Sequence, residues 1–558
     1  MVPNSTEQIE VILERNYPGH ARRNIEIPEV SIYSMFKESV RKYNDRDAII
    51  FQNSKFTYSE LNDNVERVSS GLHWMGLKKG DMIGVVVPNM PEYGILLIAC
   101  TKLGIVPVNI NPLYTFNEIN TVVQNTKLRT IFTYLDFLPR IVNLFPLSVD
   151  RIVIIRDSNA SRIPYNSIPI IRNLVERGQF PEDSNILSFE NLGEGLPSVP
   201  EEKINSRNDG AFIQYTGGTT GRPRAALISH YNIMSNLYIM DEWSKNLSKT
   251  DIVFISAVPF FHVYGLTISI LLPIFLGAKV HIIMNPLDSE HIIKIIEKNN
   301  NIVYPAIPAL INSLIAAAYG KKITPAGSIY VMSGASSLQN NTREAFKNIF
   351  GIEIYEAYGL TEASPSVTLS PLDEKMIRNG SVGMPLPNTM VRIVDLKTRN
   401  TDMPIGEKGE IIVRGPQIIH EYLNEGVVEQ VLKNGWLYTG DIGKMDSEGY
   451  LYIVERRKDM ILVSGYNVYS TEVEKVIMAT KKVEECAVVG APDENTGEKV
   501  IAFVVVKNDK VLTQEELIDF CSRYLADYKV PSLVYFVDYL PKNTLGKVLK
   551  KELKLLVN

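Results

Sequence analysis

The chain has 558 residues, more than one hydrophobic core usually supports, so we expect two or more domains. It is 45% hydrophobic and 22% charged, which is typical of a soluble globular protein. The net charge is −5 with acidic and basic residues intermixed, which excludes the basic stripe of a nucleic-acid binder. Cys100, Cys486 and Cys521 lie too far apart for a metal site or a disulfide framework, which fits a reducing compartment.

The sequence contains no segment that is typical of a membrane protein. The N-terminus is polar and has no apolar signal-peptide core. The longest uncharged apolar run, residues 263–278, is too short to span a bilayer and contains Pro273, so we predict a buried core segment. We expect a cytoplasmic protein without a transmembrane segment and leave transient contact with a membrane surface open.

The first two thirds of the chain alternate between strand and helix patterns. Thr57 and Glu60 have capping-box spacing and begin a helical apolar period. Alternation up to residue 319 predicts a parallel sheet covered by helices, which binds ligands at the carboxyl ends of its strands. The next elements are predicted to be a strand over 82–88, a helix over 91–104 and a strand over 106–112.

Residues 380–455 have a different pattern. Short strands at 409–415 and 449–454 are bounded by glycine turns and have no long helix nearby, which predicts a small β-rich subdomain. The charged segment ERRKD, 455–459, follows and is predicted to be a hinge or domain boundary. A charged turn inside one domain is the alternative.

The last unit, about a hundred residues, restarts as an α+β pattern. Two helices are predicted from capping-box spacings, one at Thr471 and Glu474 and one at Thr513 and Glu516. Strand-like apolar runs lie between these two helices.

The stretch QYTGGTTGRPRAALISH, residues 214–230, combines glycines, threonines and basic residues. Glycines let backbone N–H groups point into a concavity, hydroxyls add donors and a cation balances phosphate charge. The stretch lies between a strand-like and a helix-like segment, so we expect it to join a strand to a helix. It matches neither the Walker nor the dinucleotide motif, and composition alone leaves a phosphate loop and a flexible loop equally favoured.

YTGGTTGRPRA resembles the phosphate-loop motif of the adenylate-forming superfamily, which includes acyl-CoA synthetases, luciferases and peptide-synthetase adenylation domains. NINPLYTFNEI (109–119) and KDMILVSGYNVYSTEVE are most similar to the long-chain fatty acid–CoA ligases. Five further motifs follow in the family's order: PFFHVYGL (259–266), YGLTE (358–362), NGWLYTGD (434–441), VERRKDMILVSGYNVYSTEVE (454–474) and LPKNTLGKVLKKEL (540–553).

This resemblance implies an α/β fold with three parts. Residues 1–455 would form a large N-terminal domain of two doubly wound sheet-and-helix lobes plus a small β-barrel. Residues 456–459 would be the hinge, and residues 460–558 a mobile α+β C-terminal cap domain.

The resemblance also implies an AMP-forming acyl-CoA synthetase. Such an enzyme activates a medium-chain or long-chain fatty acid with ATP and then transfers the acyl group to coenzyme A, with Mg²⁺ as the cofactor. A CoA ligase for an aryl, short-chain or hydroxy acid, an acid-adenylating enzyme with a carrier-protein acceptor, a luciferase-like oxidative enzyme and a non-catalytic binding protein are the alternatives. For the CoA ligase the substrates would be the small molecules fatty acid, ATP and CoA, and a homodimer is compatible with the family.

Residue roles follow from the motif positions. The phosphate loop and Arg224 would hold the ATP phosphates, Tyr358 would stack on adenine against Gly334 and Ala335, and Asp441 would bind the ribose hydroxyls. Thr219 and Glu362 would hold Mg²⁺. The full predicted ATP/AMP set is Thr216, Gly217, Gly218, Thr219, Thr220, Gly221, Arg224, Gly334, Ala335, Tyr358, Gly359, Thr361, Asp441 and Arg456.

The remaining roles concern adenylation, the hinge, the acyl pocket and CoA binding. Lys547 would be the adenylation lysine, Lys458 the hinge residue and His262 a gate of the acyl pocket. The CoA-binding set would be Ser464, Gly465 and Tyr466. Taken singly, each of these residues could equally be a solvated surface charge or a packed core histidine. The motif context favours a functional role over these structural ones.

The sequence departs from the family pattern at four places. Arg224 replaces a lysine and Ala225 a glycine, Ser470 stands where proline is common, and EYL at 421–423 stands where GYW is usual. We expect Arg224 to grip phosphate oxygens with its planar fork and Ser470 to cap the helix that follows it.

Overall fold

A computed structural model describes residues 5–144, 148–156, 169–176, 186–216, 224–425, 431–543 and 546–557. The strands within these ranges are β1 (Asp47–Phe51), β2 (Ser54–Thr57), β3 (Met82–Val86), β4 (Val106–Asn109), β5 (Thr130–Tyr134), β6 (Arg151–Ile155), β7 (Ile186–Ser188), β8 (Gly210–Thr216), β9 (Arg224–Ser229), β10 (Val253–Ser256), β11 (Lys279–Ile282), β12 (Asn301–Ala306), β13 (Ser328–Ser333), β14 (Ile354–Gly359), β15 (Ser366–Leu369), β16 (Met384–Pro385), β17 (Met390–Val394), β18 (Gly409–Arg414), β19 (Leu432–Lys433), β20 (Trp436–Met445), β21 (Leu451–Arg456), β22 (Ile461–Val463), β23 (Tyr466–Val468), β24 (Val483–Asp493), β25 (Gly497–Val506) and β26 (Leu533–Phe536).

The α-helices of the described residues are α1 (Ser5–Asn16), α2 (Ile32–Tyr43), α3 (Tyr58–Trp74), α4 (Pro91–Leu103), α5 (Phe116–Thr126), α6 (Pro169–Glu176), α7 (His230–Trp243), α8 (Leu272–Leu276), α9 (Ser289–Lys298), α10 (Pro308–Ala317), α11 (Asn340–Phe350), α12 (Ser470–Ala479), α13 (Gln514–Ser522) and α14 (Lys550–Leu555).

Two large sheets dominate the fold. The first has nine strands in the order β16-β15-β14-β13-β12-β10-β11-β1-β2, and the second has seven in the order β7-β6-β5-β3-β4-β8-β9. Their central strands are parallel, whereas β2, β15, β16 and β9 pair antiparallel at the edges. Because helices cover the sheets, strands such as β6 read as continuous apolar runs with buried side chains. This confirms the predicted α/β class.

Two smaller sheets follow. Strands β17 to β21 form a five-stranded antiparallel sheet, the β-rich unit predicted over 380–455. Strands β22 to β26 form another five-stranded sheet that packs with α12, α13 and α14. The main hydrophobic core lies around the nine-stranded sheet, and separate clusters lie at the seven-stranded sheet and in the last unit.

Helix α3 begins as predicted. The Thr57 side chain accepts from the Glu60 backbone N–H and the Glu60 carboxylate accepts from the Thr57 N–H, so both capping-box bonds are present. At α13 the Thr513 side chain caps Glu516 N–H at 3.2 Å, but the Glu516 carboxylate binds Lys482 instead of returning the bond.

The predicted start of α12 was wrong. The helix begins at Ser470 with Tyr469 as the N-cap residue and without a side-chain cap bond. Thr471 donates its hydroxyl to the Val454 carbonyl, and the Ser470 hydroxyl donates to the Glu455 carboxylate. Tertiary contacts with β21 have therefore replaced the local caps that we expected at Thr471 and Ser470.

The connection after the glycine-rich loop also differs from the prediction. Residues 217–223 lie outside the described residues, and the chain then forms β9, which pairs antiparallel with β8 before α7 begins. The loop therefore joins two antiparallel strands, and the predicted direct connection from strand to helix was wrong because the short apolar run before the helix pairs as β9.

The apolar run 263–278 is largely buried, as predicted. It contains a π-helical segment, Gly265–Leu271, and then α8. Gly265 is required because a Cβ atom there would lie 2.1 Å from the Pro259 carbonyl oxygen. Within the described ranges, no helix is both long and apolar enough to cross a membrane.

Candidate active site

Several of the predicted nucleotide-binding residues lie at the carboxyl ends of parallel strands, and we call the region around the Tyr358–Asp441 contact the cleft. Thr216 ends β8, Gly334 directly follows β13, and Tyr358 lies at the end of β14. Asp441 approaches from the third sheet, on β20. The location is the one that open parallel sheets use for ligands.

Asp441 is the centre of a buried polar cluster. It is 2% exposed, accepts a hydrogen bond from the Tyr358 hydroxyl at 2.6 Å and lies 2.6 Å from Arg456 Nε. Burial together with this carboxylate raises the pKa of Tyr358 well above its usual range, and Asp441 raises the pKa of Arg456. Tyr358 is therefore a neutral donor and Arg456 a permanent cation beside the carboxylate. Ionised carboxyl oxygens with lone pairs to spare suit a pair of hydroxyl donors.

Lys547 reaches the same cluster from the last unit. Its backbone N–H donates to Asn543 Oδ1 at 2.9 Å. The residue as a whole is exposed to solvent. Its ammonium group is nevertheless partly desolvated by the protein atoms around it, and this desolvation, together with the charges of Arg456 and Lys458, lowers its pKa to about 8. Within the described part of the chain, no carboxylate lies within ion-pair distance of its ammonium group. It is a cation without a fixed partner.

Glu362 lies on a single 3₁₀ turn, Thr361–Ala363, directly after β14. Its Oε1 accepts a hydrogen bond from the Tyr422 hydroxyl at 2.9 Å, and its carbonyl accepts from Ile419 N–H at 3.0 Å. Burial raises the pKa of Glu362, while the Tyr422 bond and the Arg456 charge act in the opposite direction. A partly buried, poorly solvated carboxylate in this position gains from any cation that arrives.

The segment after β13 has a strained backbone at the cleft. Ala335 has φ of +67°, a left-handed conformation that costs a residue with a side chain about 1–3 kcal/mol. Gly334 lies against the Tyr264 ring, which a Cβ atom would approach to 3.4 Å. The Tyr264 hydroxyl donates to the Met332 carbonyl at 2.8 Å and so fixes the ring against β13.

His262 precedes the π-helical segment. Its Nδ1 accepts from Tyr264 N–H at 3.2 Å, and burial lowers its pKa to about 4. The imidazole is therefore neutral at pH 7. Isolated π-helical turns are frequent near functional sites, and this neighbourhood is compatible with the predicted gate.

The two described ends of the phosphate loop are paired with each other. Thr216 lies opposite Arg224 across the β8–β9 pair. Thr216 Oγ1 is buried and has no hydrogen-bond partner among the described residues. Arg224 Nε lies 3.3 Å from Glu425 Oε2, and its guanidinium carbon lies 5.5 Å from the Tyr422 ring centroid. Gly217, Gly218, Thr219, Thr220 and Gly221 lie outside the described residues.

The predicted hinge and CoA residues lie outside the polar cluster. Lys458 is exposed on the turn Arg457–Asp459, and its carbonyl accepts from Lys554 Nζ at 3.4 Å. Ser464, Gly465 and Tyr466 are exposed on the last unit. For these three residues, the described portion of the chain shows no hydrogen bond or ring contact with the cleft; Tyr466 instead stacks on Tyr528 at 4.8 Å.

A second charged cluster, which we call the hinge cluster, crosses the same junction and consists of Glu455, Ser470, Thr471, Glu474 and Lys550. Glu455 lies on β21 and accepts from the Ser470 hydroxyl and from Thr471 N–H. Lys550 lies 2.8 Å from Glu474 Oε1 and donates to Ser470 Oγ. Ser470 is fully buried, so it connects a carboxylate before the turn to a cation after it.

Comparison with known proteins agrees with this geometry. The sequence model of the AMP-binding enzyme family matches residues 36–423, and the sequence model of the AMP-binding enzyme C-terminal domain matches residues 472–547. The chain belongs to the AMP-binding enzyme family. The predicted membership is thereby confirmed.

Curated relatives within the family align over nearly their full length. The chain is 34% identical to a long-chain-fatty-acid–CoA ligase of Yersinia pestis, over 98% of either chain. It is 33% identical to the Bacillus subtilis protein of the same name, over 96% of either chain. Among solved structures, an ATP-bound RpMatB–BxBclM chimera superposes with a TM-score of 0.82 at 26% identity, over 94% of this chain and 98% of the other.

The side-chain oxygen atoms in the cleft determine whether it can bind a divalent metal ion. Among the described residues, no group of three or more histidine, cysteine, aspartate or glutamate side chains could form a complete metal cage. Glu362 offers one partly buried carboxylate, and Thr216 offers a buried hydroxyl oxygen without a described partner. Mg²⁺ is usually held by one or two carboxylates plus substrate phosphates, so this sparse oxygen set fits the ion.

Two polar residues of the site had no predicted role. Thr439 Oγ1 accepts from Asp441 N–H at 3.1 Å and fixes the strand that carries the carboxylate. Tyr422 contacts both Glu362 and Arg224. The sequence signal for Tyr422 is that it is the one residue that EYL at 421–423 shares with the family's GYW.

Proposed function

We propose that the protein is an AMP-forming fatty acid–CoA ligase. A fatty-acid carboxylate oxygen would attack the α-phosphorus of ATP and release pyrophosphate, and the thiol of coenzyme A would then attack the acyl carbon and release AMP. The observation that carries the proposal is the cluster of Tyr358, Asp441, Arg456 and Lys547, where sheet residues and the last unit meet in one cleft. The named activity of the full-length relatives supports the fatty acid.

In the first half-reaction the problem is charge. Two unit negative charges about 4 Å apart repel by about 4 kcal/mol at an effective dielectric of 20, and triphosphate carries several charges. Lys547 would bridge the attacking carboxylate and the α-phosphate, and Arg456 would add a fixed charge beside them. Reactions of this kind gain mostly from positioning and from charge stabilisation arranged in advance.

The nucleotide would be held by groups from three sheets. Tyr358 and Gly334 would enclose the adenine, and the Asp441 oxygens would accept the ribose hydroxyls. Gly359 can only be glycine there, because a Cβ atom would lie 2.3 Å from the Pro365 carbonyl oxygen. Thr361, Ala335 and Arg224 complete the proposed set, with the phosphate loop 216–221.

Glu362 would hold Mg²⁺ together with Thr219 and the ATP phosphates. When bound, the ion neutralises phosphate charge and orients the triphosphate. Glu362 supplies a carboxylate that is poorly solvated and therefore gains much from a cation, and Tyr422 keeps one of its oxygens hydrogen-bonded.

For the second half-reaction we propose a turn of residues 460–558 about Lys458 in the segment 456–459. That movement would withdraw Lys547 and bring Ser464, Gly465 and Tyr466 towards the acyl-adenylate, with His262 beside the acyl path. The exposed position of these three residues leaves them available for it. A cytoplasmic location and small-molecule substrates are part of this proposal.

The test is pyrophosphate release from ATP with straight-chain acids of two to eighteen carbons, with and without CoA. We expect multiple turnovers only when CoA is present and the highest rates with medium or long chains. Activity confined to short-chain or aryl acids would identify a ligase for a different acid. Release that stops at one equivalent despite CoA would favour a carrier-protein acceptor.

A further inference from the structure

Glu362 and the strand that carries Arg224 meet at one side chain, that of Tyr422. Residues 421–423 run antiparallel along β9, with Leu227 N–H donating to the Glu421 carbonyl at 3.4 Å and Leu423 N–H to the Ala225 carbonyl at 2.8 Å. The bonded backbone directs Tyr422 inward, where it is 1% exposed. Its position therefore follows that of β9.

The other end of Tyr422 contacts the carboxylate. Its hydroxyl donates to Glu362 Oε1 at 2.9 Å, and burial keeps the phenol neutral by raising its pKa. A donor stabilises the ionised form of a buried carboxylate and also fixes the direction in which the other oxygen faces. Glu362 is held a second time, because its carbonyl accepts from Ile419 N–H.

Arg224 completes the connection. Its guanidinium lies over the Tyr422 ring at 5.5 Å from the centroid and pairs with Glu425, three residues further along the same segment. A guanidinium stacks on an aromatic ring more readily than an ammonium does. The arginine that replaces the usual lysine is thus in contact with the ring whose hydroxyl holds Glu362.

We propose that Tyr422 is a positioning residue that holds the Glu362 carboxylate in the orientation that receives the magnesium ion of ATP and couples it to Arg224 on β9. The inference rests on the proposed function, in which Glu362 binds the metal–nucleotide complex. Tyr422 itself would not touch the nucleotide. Its loss should therefore weaken binding of ATP with Mg²⁺ and spare binding of ATP without it.

The experiment is a calorimetric titration of the full-length protein with ATP, in Mg²⁺ and in EDTA, without acid or CoA. Tyr422→Phe keeps the ring and its contact with Arg224 and removes only the hydroxyl. We expect its affinity for Mg-ATP to fall about tenfold or more, the scale of a hydrogen bond to a charged group, and its affinity for metal-free ATP to change by less than about twofold.

Two further variants make the result specific. In a Glu362→Ala background, Tyr422→Phe should produce no additional loss, because the group that it positions is absent. Tyr58→Phe removes another buried hydroxyl, one that donates to the Ala278 carbonyl at 2.9 Å and not to a residue of the proposed site, and should leave both affinities unchanged. Thermal melting checks that all variants are folded.

Equal losses with and without Mg²⁺ would overturn the positioning role and make Tyr422 a packing residue. Unchanged Mg-ATP affinity in Tyr422→Phe would overturn it as well. A wild-type protein that binds no Mg-ATP would contradict the proposed function itself and would remove the basis of the inference. Because no acid is present in the titration, an error in the fatty-acid assignment leaves the result intact.

Discussion

Two lysines three residues apart have opposite surroundings. Lys550 is enclosed in the hinge cluster, where Glu474, at 2.8 Å, and Glu455 raise its pKa. Lys547 faces the cleft, where desolvation and neighbouring cations lower its pKa to about 8. Among the described residues Lys547 has no carboxylate within ion-pair distance, whereas Lys550 has one.

The comparison shows how one basic stretch can serve both structure and chemistry. A largely buried ammonium whose partners are supplied by the protein stabilises the fold of its own unit. An ammonium that is partly desolvated and has no carboxylate partner among the described residues is prepared for an anion from outside. Perturbed groups of the second kind in a cleft are candidates for function.

Removing the Lys550 ammonium group should have the largest effect on stability. Lys550→Met leaves the largely buried Glu474 carboxylate without its cation, so the free energy of unfolding of the last unit should fall by about 3 kcal/mol, the lower end of the range for a buried pair. Urea unfolding followed by circular dichroism measures this. Lys551→Met, at the exposed neighbouring position, is the matched control and should change stability by less than about 0.5 kcal/mol. Equal stability of the two variants would contradict the role of Lys550.

Ser470→Ala sharpens the comparison by removing the hydroxyl between Glu455 and Lys550. Hydrogen bonds to charged groups contribute about 1.5–3 kcal/mol, so we expect a loss in that range, smaller than for Lys550→Met. Ser470→Pro, which introduces the residue common in the family, should lose a similar amount. A helix-cap role predicts instead that Ser470→Asp preserves stability, whereas a second carboxylate beside Glu455 should destabilise the cluster.

The lowered pKa of Lys547 predicts that the rate of the first half-reaction depends on pH. For the ATP-dependent first step, kcat/KM should fall about tenfold per pH unit above about pH 8, as the free enzyme's Lys547 loses its proton. Lys547→Arg should abolish this decline, because arginine stays protonated. Stability has the opposite trend: between the folded pKa and the ordinary lysine value the unfolded chain binds more protons, so this residue's contribution to stability increases as pH rises. A wild-type profile that stays flat to pH 10 would contradict the assignment.

Much of the fold was predictable because it depends on local patterns. The parallel sheets follow from alternating apolar strands and helices, and α3 begins at Thr57 because both capping-box groups are adjacent in sequence. The start of α12 was missed because Ser470 and Thr471 bond to residues of β21 instead of capping their own helix. No local pattern contains that information.

The site was predictable only through motifs. Composition left the phosphate loop undecided, and the different states of Lys547 and Lys550 could not be read from KVLKK. Lys550 depends on Glu474 and Glu455, and Lys547 depends on burial and on Arg456, and these residues are all distant in sequence. Tyr422 was missed for the same reason, because its partner Glu362 lies sixty residues earlier.

The most direct measurement separates the two half-reactions in Lys547→Ala. Pyrophosphate release from ATP and a fatty acid should fall by about 10²–10³-fold, the scale for one preorganised charge-stabilising group. Acyl transfer to CoA from supplied acyl-adenylate should remain within about threefold of the wild type, because in the proposed turn Lys547 would be withdrawn from the cleft in that step. Equal losses in both half-reactions, or full pyrophosphate release, would contradict the assignment of Lys547 to adenylation.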